Sequence, residues 1–403
     1  MTSEKNHLYQ NVRDILQKIS QQEGFIKPQI ECSGKIGKGQ GFMGDVFYVN
    51  ITDENSSRHL KLVVKQSTSS EYVRKNFPVK VICFNESYFY KQIWPKFVEL
   101  QLNHLQSIIF NNIAKCYETD LDEGKESFVL ENLNAMGYFV LKKDQFFDRN
   151  QVESVLKKYG QFHGLSFAYK SKHFEEFQTL SKELIPCWKM MSEAELFKFV
   201  MEKGLKDCLT YLDYKKQRNI ITKLEGILEN VVQVFQNSTT YRGKYGVIVQ
   251  GDCWSNNVLF KCKENSKLED LKLIDFQMSN VSTVVNDLSY CLYAGGTKEI
   301  FDDLDRYLRI YHESLVDTCS RFDCKDFISF ENLKTEWKEY SKFGFILGLS
   351  LIRTKLSEDM DQEEMAQMSK TEEDQEKVPN ENSEKIKQKC LELVLHMYEN
   401  GFL

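Results

Sequence analysis

Nowhere in the 403 residues does an uninterrupted apolar run reach membrane-spanning length, and the first stretch, MTSEKNHLYQNVRDILQKISQQEG, is polar where a secretory leader would be apolar. A cytoplasmic protein with no membrane insertion is therefore expected. The eleven cysteines are scattered from Cys32 to Cys390, without the dense spacing of a disulfide-stapled domain or the paired CxxC of a zinc site, so they read as mostly reduced thiols. A basic surplus is also missing: the formal charge of -6 gives no general case for nucleic-acid binding. There is no internal repeat, and no GxxxxGK followed by Ser or Thr, which excludes a P-loop.

What is present is enough for a substantial core and two lobes. Hydrophobic residues make up 41% of the chain and 28 are phenylalanine, which argues against a mainly disordered protein. Charge is concentrated in one place. Between Glu358 and Glu376 nine acidic side chains and one lysine give a net -8, leaving the remainder near +2. This acidic segment, at about 357–382, reads as a mobile loop or a solvated helix extension, and its composition identifies no protein partner.

Residues 6–23 have the spacing of an amphipathic helix, with Leu8, Val12, Ile15, Leu16 and Ile19 on one side and Gly24 as its end. Strand candidates follow at Ile30 to Ile36, VFYVNIT and HLKLVVKQS, with the glycine-rich GKGQGFMGD between the first two. A helix is expected from Val79 to Phe97 and a strand from Ser127 to Leu130. Helices are then expected at about 149–171, 192–213, 214–236, 286–320, 325–355 and 383–398, interrupted by the short strands VIVQG and LKLIDFQ. Strands first and helices later predict an α+β fold: a small β-rich lobe, residues 1–130, and a larger helical one, residues 131–403.

The strongest local signal is GDCWSNNVLF at 251–260, which sets Asp252 five residues before Asn257 between apolar, strand-like segments. Asp275 follows in LIDFQ, again at the end of an apolar run. Phosphoryl transfer from MgATP needs acidic or amide oxygens to hold hard magnesium ions beside the phosphates, and a side chain to orient the attacking hydroxyl. Asp252 suits the second task; Asn257 and Asp275 suit the first. One DxxxxN spacing by itself is more often structural.

Together these motifs resemble the kinase-like phosphotransferase fold shared by protein kinases, choline kinases and aminoglycoside phosphotransferases, and more closely the ecdysteroid kinase-like family. That family's catalytic loop, HGDxWxxNxxF, is matched by QGDCWSNNVLF at 250–260, and its metal-binding IDFQ by residues 274–277. The resemblance implies a two-lobed protein-kinase-like fold that binds ATP and Mg2+ and phosphorylates a hydroxyl on a small molecule, an ecdysteroid or another lipophilic alcohol. It implies that Lys65 contacts phosphate and that Glu86, in FNESYFY, holds Lys65 in place. It lays the loop containing Gly37, Gly39, Gly41 and Gly44 over the nucleotide, and gives the adenine edge to backbone groups around Glu131, Asn132 and Leu133. As isolated residues, Lys65 and Glu86 would be read as surface charges, and such glycines as an ordinary hairpin.

Gln250 departs from the family pattern, where histidine is usual; glutamine keeps hydrogen-bonding capacity but not the imidazole's shape or protonation. His163 reads as a buried structural histidine, and the resemblance implies that Asp287, in VVNDLSY, anchors the catalytic region. Cys253 adjoins Asp252 without a companion histidine, so it is no nucleophile. A protein kinase is disfavoured by Trp254, where such enzymes carry lysine, by DFQ in place of DFG, and by the twelve positions from Asp275 to Asp287, too few for the usual activation segment. Two rivals stay open at this level: a nucleotide-binding pseudokinase, and an interaction scaffold that uses the acidic segment.

Overall fold

The computed structural model describes residues 8–35, 44–54, 56–264, 267–356 and 382–403. Gly37, Gly39 and Gly41 and nearly all of the acidic segment lie outside the described residues.

Before residue 132, five strands form an antiparallel sheet in the order β1-β2-β3-β5-β4: β1 Pro28–Lys35, β2 Gly44–Asp53, β3 His59–Ser67, β4 Cys116–Asp120 and β5 Ser127–Glu131. Side chains alternate across a strand. On β3, Leu62 and Val64 are buried against Val12, Leu16 and Ile19 of the helix Gln10–Gln22, which covers one face of the sheet. Lys65, one residue on, therefore emerges on the opposite face, paired in register with Val46 on β2 and Phe128 on β5.

That opposite face meets a helical segment running from Val79 to Leu105. The sequence predicts a helix over Val79 to Phe97; the helical segment continues to Leu105, and Phe89–Ile93 forms a π-helical turn between Val79–Tyr88 and Trp94–Leu105. The wider turn brings two consecutive rings onto Phe276: Phe89 stacks at 3.8 Å between centroids and Tyr90 meets it edge-on at 6.0 Å.

The remainder is mainly helical, as the sequence predicts. Helix Arg149–Lys172 starts with a reciprocal cap between Asp148 and Gln151 and runs through the core, as does Val284–Gly295, buried along its whole length. Several long helices expected from periodicity are divided. The stretch 214–236 is Arg218–Glu229 and Val231–Thr239, and 325–355 is Phe330–Tyr340 and Lys342–Leu356. The stretch 286–320 breaks after Gly295, where the extended Gly296 has no space for a side chain beside Leu292 O. Periodicity reports which face is buried, and both halves of a broken helix bury the same face.

Two small sheets sit among these helices: β7 Val247–Val249 with β10 Asn280–Ser282, and β6 Phe139–Val140 with the hairpin of β8 Val258–Cys262 and β9 Leu268–Leu273. The hairpin register pairs Val258 with Leu273. Its open end thus sets Asn257, just before β8, beside Ile274, just after β9, and the Ile274 amide donates to Asn257 O at 3.1 Å.

Candidate active site

Five polar residues distant in sequence converge between the sheet and the helical part. The Lys65 ammonium lies 2.7 Å from Glu86 Oε2 and 3.0 Å from Asp275 Oδ1. Burial works against its charge, but the two carboxylates outweigh that and hold its pKa above the ordinary lysine range. Glu86 is itself buried, and desolvation pushes its pKa up against the pull of Lys65. Its second oxygen, Oε1, has no hydrogen-bond partner among the described residues, and neither has the hydroxyl of Tyr90, one turn further along.

Asp275 occupies the left-handed region, with φ 62°. Aspartate tolerates that conformation better than most residues. The local reversal lets Phe276 enter the core, against Phe89, while the Asp275 carboxylate stays beside Lys65.

The loop before β8 is held from several directions. Gly251 has φ +83°, and a side chain there would run into the Met278 carbonyl. The Asp287 carboxylate accepts from the Gln250 and Gly251 amides, both at 2.8 Å. It also contacts His163 Nε2 at 3.1 Å, whose other nitrogen meets the Tyr311 hydroxyl at 3.0 Å. His163 is fully buried in this network, the arrangement of a structural histidine. The Trp188 indole donates to Gly251 O at 2.6 Å. Gln250 is bonded at both ends of its amide: Nε2 donates to Ile274 O at 2.5 Å, and Oε1 accepts from the Tyr159 hydroxyl. Glutamine thus ties the loop directly to the strand end that carries Asp275.

Within the loop, Asn257 Nδ2 donates to the Asp252 carbonyl at 2.8 Å and to its carboxylate at 2.9 Å. The Tyr290 hydroxyl and the Gln277 side chain also interact with that carboxylate. Burial, then the neighbouring Asp275, pushes the Asp252 pKa up to about 7, against these hydrogen bonds. Cys253 is fully buried and its thiol is pushed well above the ordinary range by burial, so it is protonated and inert.

Glu131, Asn132 and Leu133 sit at the end of β5 and the start of a short 3-10 turn. The Glu131 amide donates to Lys115 O at 2.9 Å and the Asn132 amide to Lys61 O at 3.2 Å. The Leu133 carbonyl accepts from the Met136 and Tyr138 amides at 2.9 and 3.1 Å.

A model of the ecdysteroid kinase-like family matches residues 38–324. The chain belongs to that family. A search among curated proteins found no match. Membership in an ecdysteroid kinase-like family supports phosphotransferase chemistry and ATP use at the level of the family.

The residues present fit a magnesium-bound nucleotide. Among the described residues no three His, Cys, Asp or Glu side chains gather into a metal-holding group. Asn257 and Asp275 offer instead one amide and one carboxylate oxygen, the sparse hard-oxygen set of an ion that keeps water and phosphate ligands. With its nitrogen turned to Asp252, Asn257 leaves Oδ1 without a donor among the described residues. Sequence reasoning placed Gln277 only within the IDFQ motif, without its contact to Asp252, and missed Tyr290, Trp188 and Tyr90. Tyr290 was within reach of it, one helical turn after Asp287. Trp188, sixty-three positions before Gly251, left no local signal.

Proposed function

We propose that this chain transfers the terminal phosphoryl group of MgATP to a hydroxyl on a small molecule, with an ecdysteroid or another lipophilic alcohol as the leading acceptor class. The observation carrying this reading is the Lys65 ammonium held between Glu86 and Asp275, with Asp252 and Asn257 on the adjoining loop. Family membership supports the same chemistry.

In this reading the boundary between the nucleotide-binding and acceptor lobes falls at about residue 130, and backbone groups from Glu131 to Leu133 take the adenine edge. Lys65, fixed by Glu86, lies against the phosphates. Asn257 and Asp275 hold Mg2+, which when bound neutralises phosphate charge as it shifts toward the leaving oxygen. Asp252 orients the acceptor hydroxyl and takes its proton as the new O–P bond forms and the bond to the ADP oxygen breaks. A carboxylate with a raised pKa is suited to that transfer near neutral pH. All eleven cysteines are free thiols, which supports a cytoplasmic setting. Among the described residues no helix is long and apolar enough to cross a membrane.

The two-ended bonding of Gln250 favours a formed loop over a pseudokinase disabled by the missing histidine. The test is a mass-spectrometric screen of purified protein with MgATP against steroid alcohols, other lipophilic alcohols and amino alcohols. A product heavier by one phosphate from the lipophilic set supports the reading. Nucleotide binding without any phosphorylated product would support the pseudokinase instead.

A further inference from the structure

Lys355 is an ionisable side chain that the phosphotransfer reading leaves unused. It lies near the end of the helix Lys342–Leu356, in chain beyond the family match, and is 1% exposed. Its ammonium donates to Ser255 Oγ at 2.8 Å and sits 4.7 Å from the centre of the Phe146 ring. Lys389 approaches the same ring at 5.3 Å but is paired with Glu392 at 2.9 Å. Among the described residues no carboxylate pairs with Lys355.

Ser255 is also 1% exposed and opens the short turn Ser255–Asn257, three positions after Asp252. In that turn the Asn257 amide bonds Trp254 O at 3.0 Å, and the Asn257 side chain makes both bonds to Asp252. Lys355 therefore grips the middle of the segment joining the two residues. Close packing underlies this: helix Lys342–Leu356 approaches Val284–Gly295 so tightly that a side chain at Gly344 would strike the Ser289 backbone.

We propose that Lys355 is a positioning residue for the Asp252–Asn257 loop, fixing the Ser255 turn so that Asn257 stays set against Asp252. This rests on reading that loop as catalytic. Burying an ammonium with one hydroxyl acceptor and one ring face is costly, and an apolar side chain of similar length would stabilise the same site better. The depressed pKa, lowered to about 8 by burial despite Asp144 and Cys291, reports that cost. A costly group held at such a point is more readily understood through the loop than through the stability of the fold.

The test uses the full-length protein and the variants Lys355→Met, Ser255→Ala and their combination, with three readouts: Tm, backbone amide exchange of peptides spanning 252–257, and phosphoryl transfer. In Lys355→Met, Tm is expected to stay level or rise, while exchange in 252–257 accelerates by about tenfold or more and the rest of the helical part is unchanged. Turnover is expected to fall about tenfold or more, with the KM for ATP within about threefold of wild type. Ser255→Ala should reproduce the exchange and turnover effects, and the double variant should be no worse than either single one. Unchanged exchange at 252–257, or a lower Tm with faster exchange throughout the helical part, overturns the proposal and leaves Lys355 structural. If wild type phosphorylates no acceptor, the phosphotransfer reading fails separately, and the exchange result still decides whether Lys355 fixes the loop.

Discussion

Asn257 holds Asp252 at two points, with its amide nitrogen 2.8 Å from the Asp252 carbonyl and 2.9 Å from the carboxylate. One side chain fixes both the backbone and the aim of its neighbour, and in the proposed function its oxygen would take the metal ion. Asn257→Ala is therefore expected to lower turnover by about 100-fold or more and to weaken Mg2+-dependent nucleotide binding as well. Stopped-flow turnover with a magnesium titration separates the two effects. A higher Mg2+ requirement alone, with turnover restored to the wild-type level at saturating Mg2+, would show that the contact to Asp252 contributes nothing.

Lys65 and Glu86 form a pair in which removing the lysine strands the buried glutamate. Lys65→Met leaves the buried Glu86 carboxylate without its cation, at a cost on the order of 3 kcal/mol, and Tm should fall. Adding Glu86→Leu should recover most of that stability but none of the nucleotide affinity. Thermal unfolding and calorimetric titration with MgATP check the two halves independently. Nucleotide binding by the double variant at wild-type strength would remove Lys65 from the nucleotide site.

Gln250 uses both ends of its amide, and a histidine in its place cannot reproduce the pair of bonds to Ile274 O and the Tyr159 hydroxyl without rearrangement. Gln250→His is expected to leave turnover equal to wild type or lower. Tyr159→Phe, which removes only the hydroxyl, should destabilise the protein by about 1–3 kcal/mol by leaving Oε1 buried without a donor. A Gln250→His variant faster than wild type would mean that glutamine limits the enzyme.

His396 ties the last helix, Ser383–Glu399, to the core through Tyr293, with rings at 5.6 Å, and Phe301, at 5.3 Å. Burial lowers its pKa to about 4, below the ordinary histidine value of 6.5. The unfolded chain therefore takes up a proton before the folded one does. The stability contribution is complete above pH 6.5 and is lost as pH falls from 6.5 toward 4, by up to about 3 kcal/mol. His396→Gln should flatten this part of the Tm profile. An equally steep fall in the variant would place the acid sensitivity elsewhere.

Part of the candidate site was legible in the sequence because Asn257 and Asp275 stand at the ends of apolar strands, whereas Lys65 and Glu86 were assigned through the family resemblance. Asp275 follows LKLI and Asn257 precedes VLF, and the pairing of β8 with β9 brings those two ends together; Lys65 closes LKLVVK in the separate five-stranded sheet and meets Asp275 through its side chain. The five-residue spacing from Asp252 to Asn257 drew attention to the loop without specifying its conformation, and the family resemblance pointed to Asp287 as an anchor of the region. Contacts made across the fold by single side chains were not legible. Trp188 on Gly251, Tyr290 near Asp252 and Lys355 on Ser255 each depend on helix packing that leaves no pattern at the residue itself. The strand Cys116–Asp120 escaped notice because CYETD carries few apolar residues. The π-helical turn at Phe89–Ile93 was not anticipated, because the one-residue change of phase it makes falls within a run rich in aromatic residues, FNESYFYKQIW, that carries no clear period.

The central claim is that Asp252 orients and deprotonates an acceptor hydroxyl beside a bound MgATP. Single-turnover phosphoryl transfer by wild type and Asp252→Asn, on the acceptor identified by mass spectrometry, tests it most directly. The account predicts that Asp252→Asn binds MgATP within about threefold of wild type while transfer slows by about 100-fold or more. Transfer by Asp252→Asn at the wild-type rate would contradict it.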